Sequence, residues 1–240
     1  MIEHKRNELK PLKGGDSVFT LYLTVNVNTD YFTEICTGHF FYTPDKRGLS
    51  TVSKSDIEDF LASKEIQPDN MELKNRVKRY LKDYFKMNTF EIAIPVLRDP
   101  DLAPEGKFGL EVSLFLDYEL DRRIEEFGWD KEMKDYMERI TIDILSETIF
   151  PGIKDKVADR FSSSPLTIEK LTRNTHGAIT GWAFTNPFVP AVNQMLKVND
   201  SVKTILPSVF QAGQWTYSPS GFPMSIVTGK LAADKVIKSL

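Results

Sequence analysis

Between residues 18 and 27 apolar and polar side chains alternate. Phe19, Leu21, Leu23 and Val25 share one face, and Thr20, Tyr22 and Thr24 share the other. That period of two specifies a strand with one buried face. A strand of this kind needs lateral partners and something apolar laid against its inner side. The polar-aromatic face is left half exposed or lines a pocket.

The rest of the chain supplies both. Residues 34–43 read as a second strand, closed by Pro44. Ser55 to Glu58 spells a capping box, so a short helix through Leu61 is expected. Residues 70–86 carry Leu73, Val77, Tyr80, Leu81 and Tyr84 as one helical stripe, with a Lys- and Arg-rich face that reads as a solvated helix surface. Residues 90–97 form a strand candidate in which Pro95 marks an edge or bulge. A turn-rich loop over 99–109 precedes another strand at 110–116. Asp130 is expected to cap a helix running to Phe150, with Met133, Met137, Ile140, Ile144 and Leu145 inward and Pro151–Gly152 as its stop. Thr167 caps a short helix to Thr172, and an apolar strand at 208–212 ends in Gly213. A last helix follows from Pro223 to Lys238. The order mixes strands and helices, with early strand pairs that read antiparallel. The fold class is α+β: a mixed, largely antiparallel sheet with helices on one side, and a C-terminal strand–loop–helix.

Length and composition narrow the function. A chain of 240 residues buries a real core. Its net charge of -3 provides no broad basic field, which argues against nucleic acid as a partner. One cysteine, Cys36, excludes an intrachain disulfide and fits a reducing, cytoplasmic setting. The first sixteen residues are charged and lack the apolar stretch of a secretory signal. No run of eighteen apolar residues occurs, so no membrane span is expected, although peripheral contact with a membrane surface stays open. His4 and His39 have no partners at ligand spacing, so no metal is assigned.

The segment VFQAGQWTYSPSGFPMSIVTGKLAAD, residues 209–234, carries the chemical information. A buried strand ends in Gly213, where backbone can approach a ligand closely. Residues 218–221 form a second flexible approach. The helix that follows offers free backbone N–H groups and the positive end of its dipole to an electron-rich group. Gly229 and Ala232 let that helix sit tightly on a neighbouring strand. An ordinary strand–turn–helix without a ligand satisfies the same pattern.

AGQW, SPSGFP and TGKLAAD together resemble the terminal FAD-contacting segment of phytoene desaturases, carotenoid isomerases and retinol saturase-like proteins. SPLTIEKLTRNTHGAITGWAF, residues 164–184, is similar to the passage that precedes that segment in the family. FEIAIPVLRDPDLAPEGKFGLEVSLFLDY, residues 90–118, is similar to the middle of its substrate region, and SVFTLYLTV to its first strand. The resemblance spans most of the chain and is closer after Phe90. It implies a flavin-dependent oxidoreductase acting on a long apolar isoprenoid or carotenoid-like substrate. It also implies that the flavin carries the electrons while the protein supplies orientation and a water-poor cavity. By resemblance, Gly213 approaches the FAD phosphates or ribityl chain. Gln214, Trp215 and Ser220 belong to the same cofactor segment, and Gly221, Phe222 and Pro223 bring the last helix near the flavin ring. Trp182 and Tyr217 are candidates to line the substrate path; His176 reads as a loop residue. No catalytic residue is assigned.

One departure from the family is large. Its members begin with a strand, a GxGxxG turn and a helix that cradle the FAD pyrophosphate. No GxGxxG occurs in this sequence, and neither Gly14–Gly15 nor Gly177 with Gly181 has the spacing. The chain is therefore expected to hold a leader or linker at 1–14, a substrate-binding domain at 15–195, and at 196–240 the last piece of an incomplete FAD-binding domain. A truncation, a split gene product and a degenerate remnant all fit. Such a chain is expected to bind FAD weakly or not at all, and to need an N-terminal FAD-binding half or self-association. An apolar channel is expected between the sheet and the 130–150 helix. Two alternatives stand beside this reading: a non-catalytic module that binds a hydrophobic ligand or a partner, and a relative of the amine oxidases, which carry a similar glycine turn and helix.

Overall fold

The structure is a computed structural model and describes residues 2–239; Met1 and Leu240, at the ends of the expected leader and FAD segment, lie outside the described residues. In chain order the elements are α1 (Ile2–Leu9), β1 (Val18–Val25), α2 (Thr29–Thr33), β2 (His39–Tyr42), α3 (Glu58–Ala62), α4 (Met71–Met87), β3 (Phe90–Ala93) and β4 (Phe108–Phe115). There follow α5 (Tyr118–Glu126), α6 (Asp130–Glu147), β5 (Val157–Ser163), α7 (Pro165–Thr172), α8 (Val198–Ser201) and α9 (Phe222–Ser239). The chain divides into two compact units. One is Val18–Ser164; the other joins the first seventeen residues to Pro165 and everything after it. The expected boundary at 195/196 falls inside the second unit, and so does the expected leader.

The Val18–Ser164 unit is an α+β domain on a five-stranded sheet of order β2-β3-β4-β1-β5, every pairing antiparallel. β4 is its central strand, and β1 lies between β4 and the edge strand β5, with Leu21 opposite Val112 on β4 and Ser162 on β5. The alternation read from the sequence sets the two faces. Phe19, Leu21, Leu23 and Val25, with Phe108, Leu110, Val112 and Leu114 of β4 and Phe90 and Ile92 of β3, point into one continuous core. α4 and α6 close that core from the same side through Val77, Leu81, Phe85, Met133, Met137 and Leu145. Each such side chain contributes roughly 1.5–3 kcal/mol by leaving water. The opposite face carries Phe41, Glu91, Glu111, Phe115 and Phe161 to the surface.

Caps explain where the helices begin. α4 starts where the Asn70 side chain accepts from the Leu73 amide at 2.9 Å, and its apolar stripe is the one read from the sequence. Ser53, not Ser55, takes the expected cap: it accepts from the Ser55 amide and opens a short 3-10 turn, and Glu58 then begins α3. Asp130 is the first helical residue of α6 rather than its cap; the preceding Trp129 is buried, its indole N–H bonded to the Pro68 carbonyl. A carboxylate in the first turn still favours the helix through the dipole. Pro95 stops β3 at Ala93 and opens a 3-10 turn.

Three elements of this unit escape the periodicity. α2 opens where the Asn28 side chain accepts from the Tyr31 amide. α5 is fixed by Asp117, whose carboxylate accepts from the amides of Glu119 and Leu120. β5 reads VADRFSS and pairs with β1 while most of its side chains stay exposed or half-buried, so it lacks an apolar alternation.

In the second unit the expected strand at 208–212 does not form. Phe210 makes a single antiparallel bridge to Lys203, and Ser208 sits at φ +61, which breaks an extended run. A strand needs a ladder of hydrogen bonds to a neighbour, and this segment finds one bridge. α7 begins at Pro165, two residues before the expected Thr167 cap.

Candidate functional site

The residues singled out by the terminal motif lie in the second unit, where three stretches of backbone cross closely. The Gly15 amide donates to the Gly181 carbonyl at 2.7 Å, the Ile179 amide to Asp16 at 2.8 Å and the Ala183 amide to Lys13 at 3.1 Å. Asn186 closes this ladder on both sides of Lys13. The expected linker therefore ends in a segment tied to residues 177–186. Glycine is required at the crossings: a Cβ on Gly14 would stand 2.3 Å from the Thr175 carbonyl oxygen, and one on Gly181 would stand 2.3 Å from that of Gln214. These glycines face protein, not a ligand.

The AGQW residues are drawn into the same structure. Gln214 donates its side-chain amide to the Ala178 carbonyl at 2.9 Å. The Trp215 indole reaches Asn174 at 3.2 Å, and the Trp182 indole donates to the Trp215 carbonyl at 3.0 Å. The two rings meet edge to face, 4.9 Å between centroids. Tyr217 and Ser220 are buried, and the Ser220 amide donates to the Thr180 carbonyl. Trp182 and Tyr217, expected to line a substrate path, are held in this packing.

Gly213 and the start of α9 remain open. Gly213 takes φ +98, and no atom lies within 4 Å of where its Cβ would be. Its amide donates to the Thr228 hydroxyl at 3.0 Å, while that hydroxyl bonds the Met224 carbonyl one turn back. Thr228, fully buried, thus fastens the glycine turn to the last helix; the sequence reading passed it over, because a hydroxyl inside a helix gives no pattern. Phe222 opens α9 with its ring 80% exposed, next to exposed Pro223, and Gly221 has only the Pro223 ring nearby.

This unit contains little apolar core. Leu12, Pro165, Leu166, Ala178, Val202 and Tyr217 are its buried apolar side chains among the described residues. Phe184, Phe188, Met195, Leu196, Ile205 and Val209 are all exposed, Leu196 fully. α9 buries Thr228 alone over its 18 residues.

The expected apolar channel between the sheet and residues 130–150 is not there. Met133, Met137 and Leu145 are at most 1% exposed and belong to the packed core. Two shallow depressions of about 500 Å³ each open elsewhere on this unit. One is lined by Asn26, Val27, Asn28, Tyr31 and Lys156, the other by Arg139, Ile142, Asp143, Lys154, Val157 and Arg160, so both mix charged or amide groups with apolar side chains. On the outer sheet face Tyr22 stacks on Phe161 at 4.7 Å, and the Thr20 and Ser113 hydroxyls bond at 2.8 Å. Beside them the His39 Nε2 and Glu91 Oε1 atoms are 2.9 Å apart.

Among the described residues no group of three or more His, Cys, Asp or Glu side chains is arranged to hold a metal ion, and no helix is long and apolar enough to cross a membrane. No protein-family model and no curated protein matches the chain.

Proposed function

We propose that the chain is the substrate-side and C-terminal part of a FAD-dependent oxidoreductase of the phytoene desaturase and carotenoid isomerase type, acting on a long apolar isoprenoid, and that it works only when joined to a FAD-binding half. The observation that carries this reading is the imbalance of the second unit: six buried apolar side chains among the described residues, against a surface studded with Phe, Met, Leu, Ile and Val. Exposed apolar side chains in that number, beside so small a core, support a surface that a partner covers. The glycine motif supports the flavin part. The glycines at the backbone crossings, Gly14, Gly15, Gly177 and Gly181, are walled by protein atoms, whereas Gly213 and Gly221 stay open to a ligand. The adenine and pyrophosphate contacts, and the GxGxxG turn that makes them, fall to the other half. When bound, FAD supplies the electron transfer. This chain contributes the open glycine turn and the start of α9. A cytoplasmic setting with peripheral membrane contact belongs to the same proposal.

The packed layer under the sheet favours a second reading, a non-catalytic partner-binding module. Joining the chain to the GxGxxG-bearing half of a phytoene desaturase-type enzyme separates the two. The oxidoreductase reading expects a yellow complex with FAD bound in equal amount; a colourless complex, or none, supports the module.

A further inference from the structure

α9 carries a second pattern, which overlaps the flavin motif at Phe222, Gly229 and Ala233 and extends past it. Phe222, Ile226, Gly229, Ala233 and Val236 follow one another at intervals of four, three, four and three residues, and Ile237 lies beside them. At 100° per residue these six positions fall within about 100° of arc. The opposite face, with Leu231 and Met224, is half-buried against its own unit. The seam is open: Phe222, Ile226, Val236 and Ile237 are all exposed, and nothing lies within 4 Å of the Cβ position of Gly229. Alternating steps of three and four are the signature of a helix that packs along one other helix. A sheet would ask for a broader face.

We propose that this seam pairs with the same seam of a second copy of the chain, antiparallel, with the two-fold axis near Leu231. The arrangement of residues about that point is self-complementary. Ile226 comes level with Val236 of the second copy, and Gly229 with its Ala233, so bulky meets bulky at the ends and small meets small at the crossing. The two helix backbones then approach closely where no side chain intervenes. Charge fixes the direction. One side of the seam carries Lys230 and Asp234, paired within the helix at 2.6 Å; the other carries neutral Ser225 and Ala232. In a parallel pair the charged side of each helix faces the neutral side of the other. In an antiparallel pair the two charged sides face, and each Lys230 gains the Asp234 of the second copy. Opposed helix dipoles add to the preference.

This proposal does not rest on the flavin reading. Light scattering on the purified chain should report a dimer. Ile226→Glu combined with Val236→Glu, both at exposed positions, should halve the mass without changing the circular dichroism. In a Cys36→Ser background, Ile226→Cys and Val236→Cys chains should cross-link when mixed. Ile226→Cys alone should not, because ten residues of helix would hold the two thiols about 15 Å apart. A monomeric wild-type chain overturns the proposal, as does a dimer unaffected by the two glutamates, or cross-linking of Ile226→Cys with itself. So does capture of the seam by a FAD-binding half in a one-to-one complex; the functional reading would survive that result.

Discussion

The Ser17 hydroxyl donates to the Gly177 carbonyl at 2.7 Å, joining residues 160 apart in the chain. Gly177 sits at φ +60, and a Cβ there would stand 2.3 Å from the Pro165 carbonyl oxygen. Ser17→Ala should cost about 1–2 kcal/mol locally, because it strands a buried acceptor. Gly177→Ala should cost more: about 1–3 kcal/mol of backbone strain, and the carbonyl contact on top of it. Amide exchange checks this directly: protection at Gly15 and Ile179 should fall in both variants, while that of α6 stays as it was.

Phe19 and Phe85, both fully buried, meet edge to face at 5.5 Å where β1 faces α4. Phe85→Ala should lose about 3–5 kcal/mol. That is a large part of the 5–15 kcal/mol that holds a typical domain together. Leu196→Ala, at a fully exposed position, should stay within about 0.5 kcal/mol of wild type. Urea unfolding curves of the two variants give the comparison.

Asp117 links α5 to the segment before α3. Burial alone would raise its pKa, but the Lys54 ammonium and the amides of Leu120 and Glu119 outweigh burial and hold it below the ordinary carboxylate value. A carboxylate depressed on folding adds stability at neutral pH, and that stability is lost as pH falls through its folded pKa. Asp117→Asn should therefore show its largest loss near neutrality and converge on wild type in acid. Urea midpoints between neutral and acidic pH would reveal the convergence, and a constant difference across that range would contradict it.

The Val18–Ser164 unit contains the whole continuous core. A polypeptide limited to those residues should fold alone, with a cooperative urea transition. The full chain should in addition bind a dye that reports exposed apolar surface, through the Phe184 to Val209 region. A shortened polypeptide that is unfolded, or a full chain that leaves the dye dark, would go against this division.

The sheet was legible because β1 and β4 put apolar residues at every second position, and α4 because its stripe from Leu73 to Tyr84 is regular over about three turns. β5 and α5 were not: β5 pairs through its backbone while showing charged and polar side chains to water, and α5 depends on one capping carboxylate. The terminal motif was legible as a glycine turn before a helix. The use of its side chains was not, because bonds such as Gln214 to Ala178 and Trp182 to Trp215 span 36 and 33 residues and leave no local pattern. Gly14, Gly15, Gly177 and Gly181 were visible only as glycines without a phosphate-loop spacing. Their reason is steric and appears once the crossing backbones are placed.

The most direct measurement is absorbance in the flavin bands, taken after FAD is added to the purified chain and removed again by gel filtration, first alone and then joined to a GxGxxG-bearing FAD-binding half. If this chain is one part of a divided flavoprotein, it emerges colourless alone and yellow, with one FAD per complex, when joined. Tight, equimolar FAD on the isolated chain would contradict its incompleteness, and a joined complex that stays colourless would contradict the flavin itself.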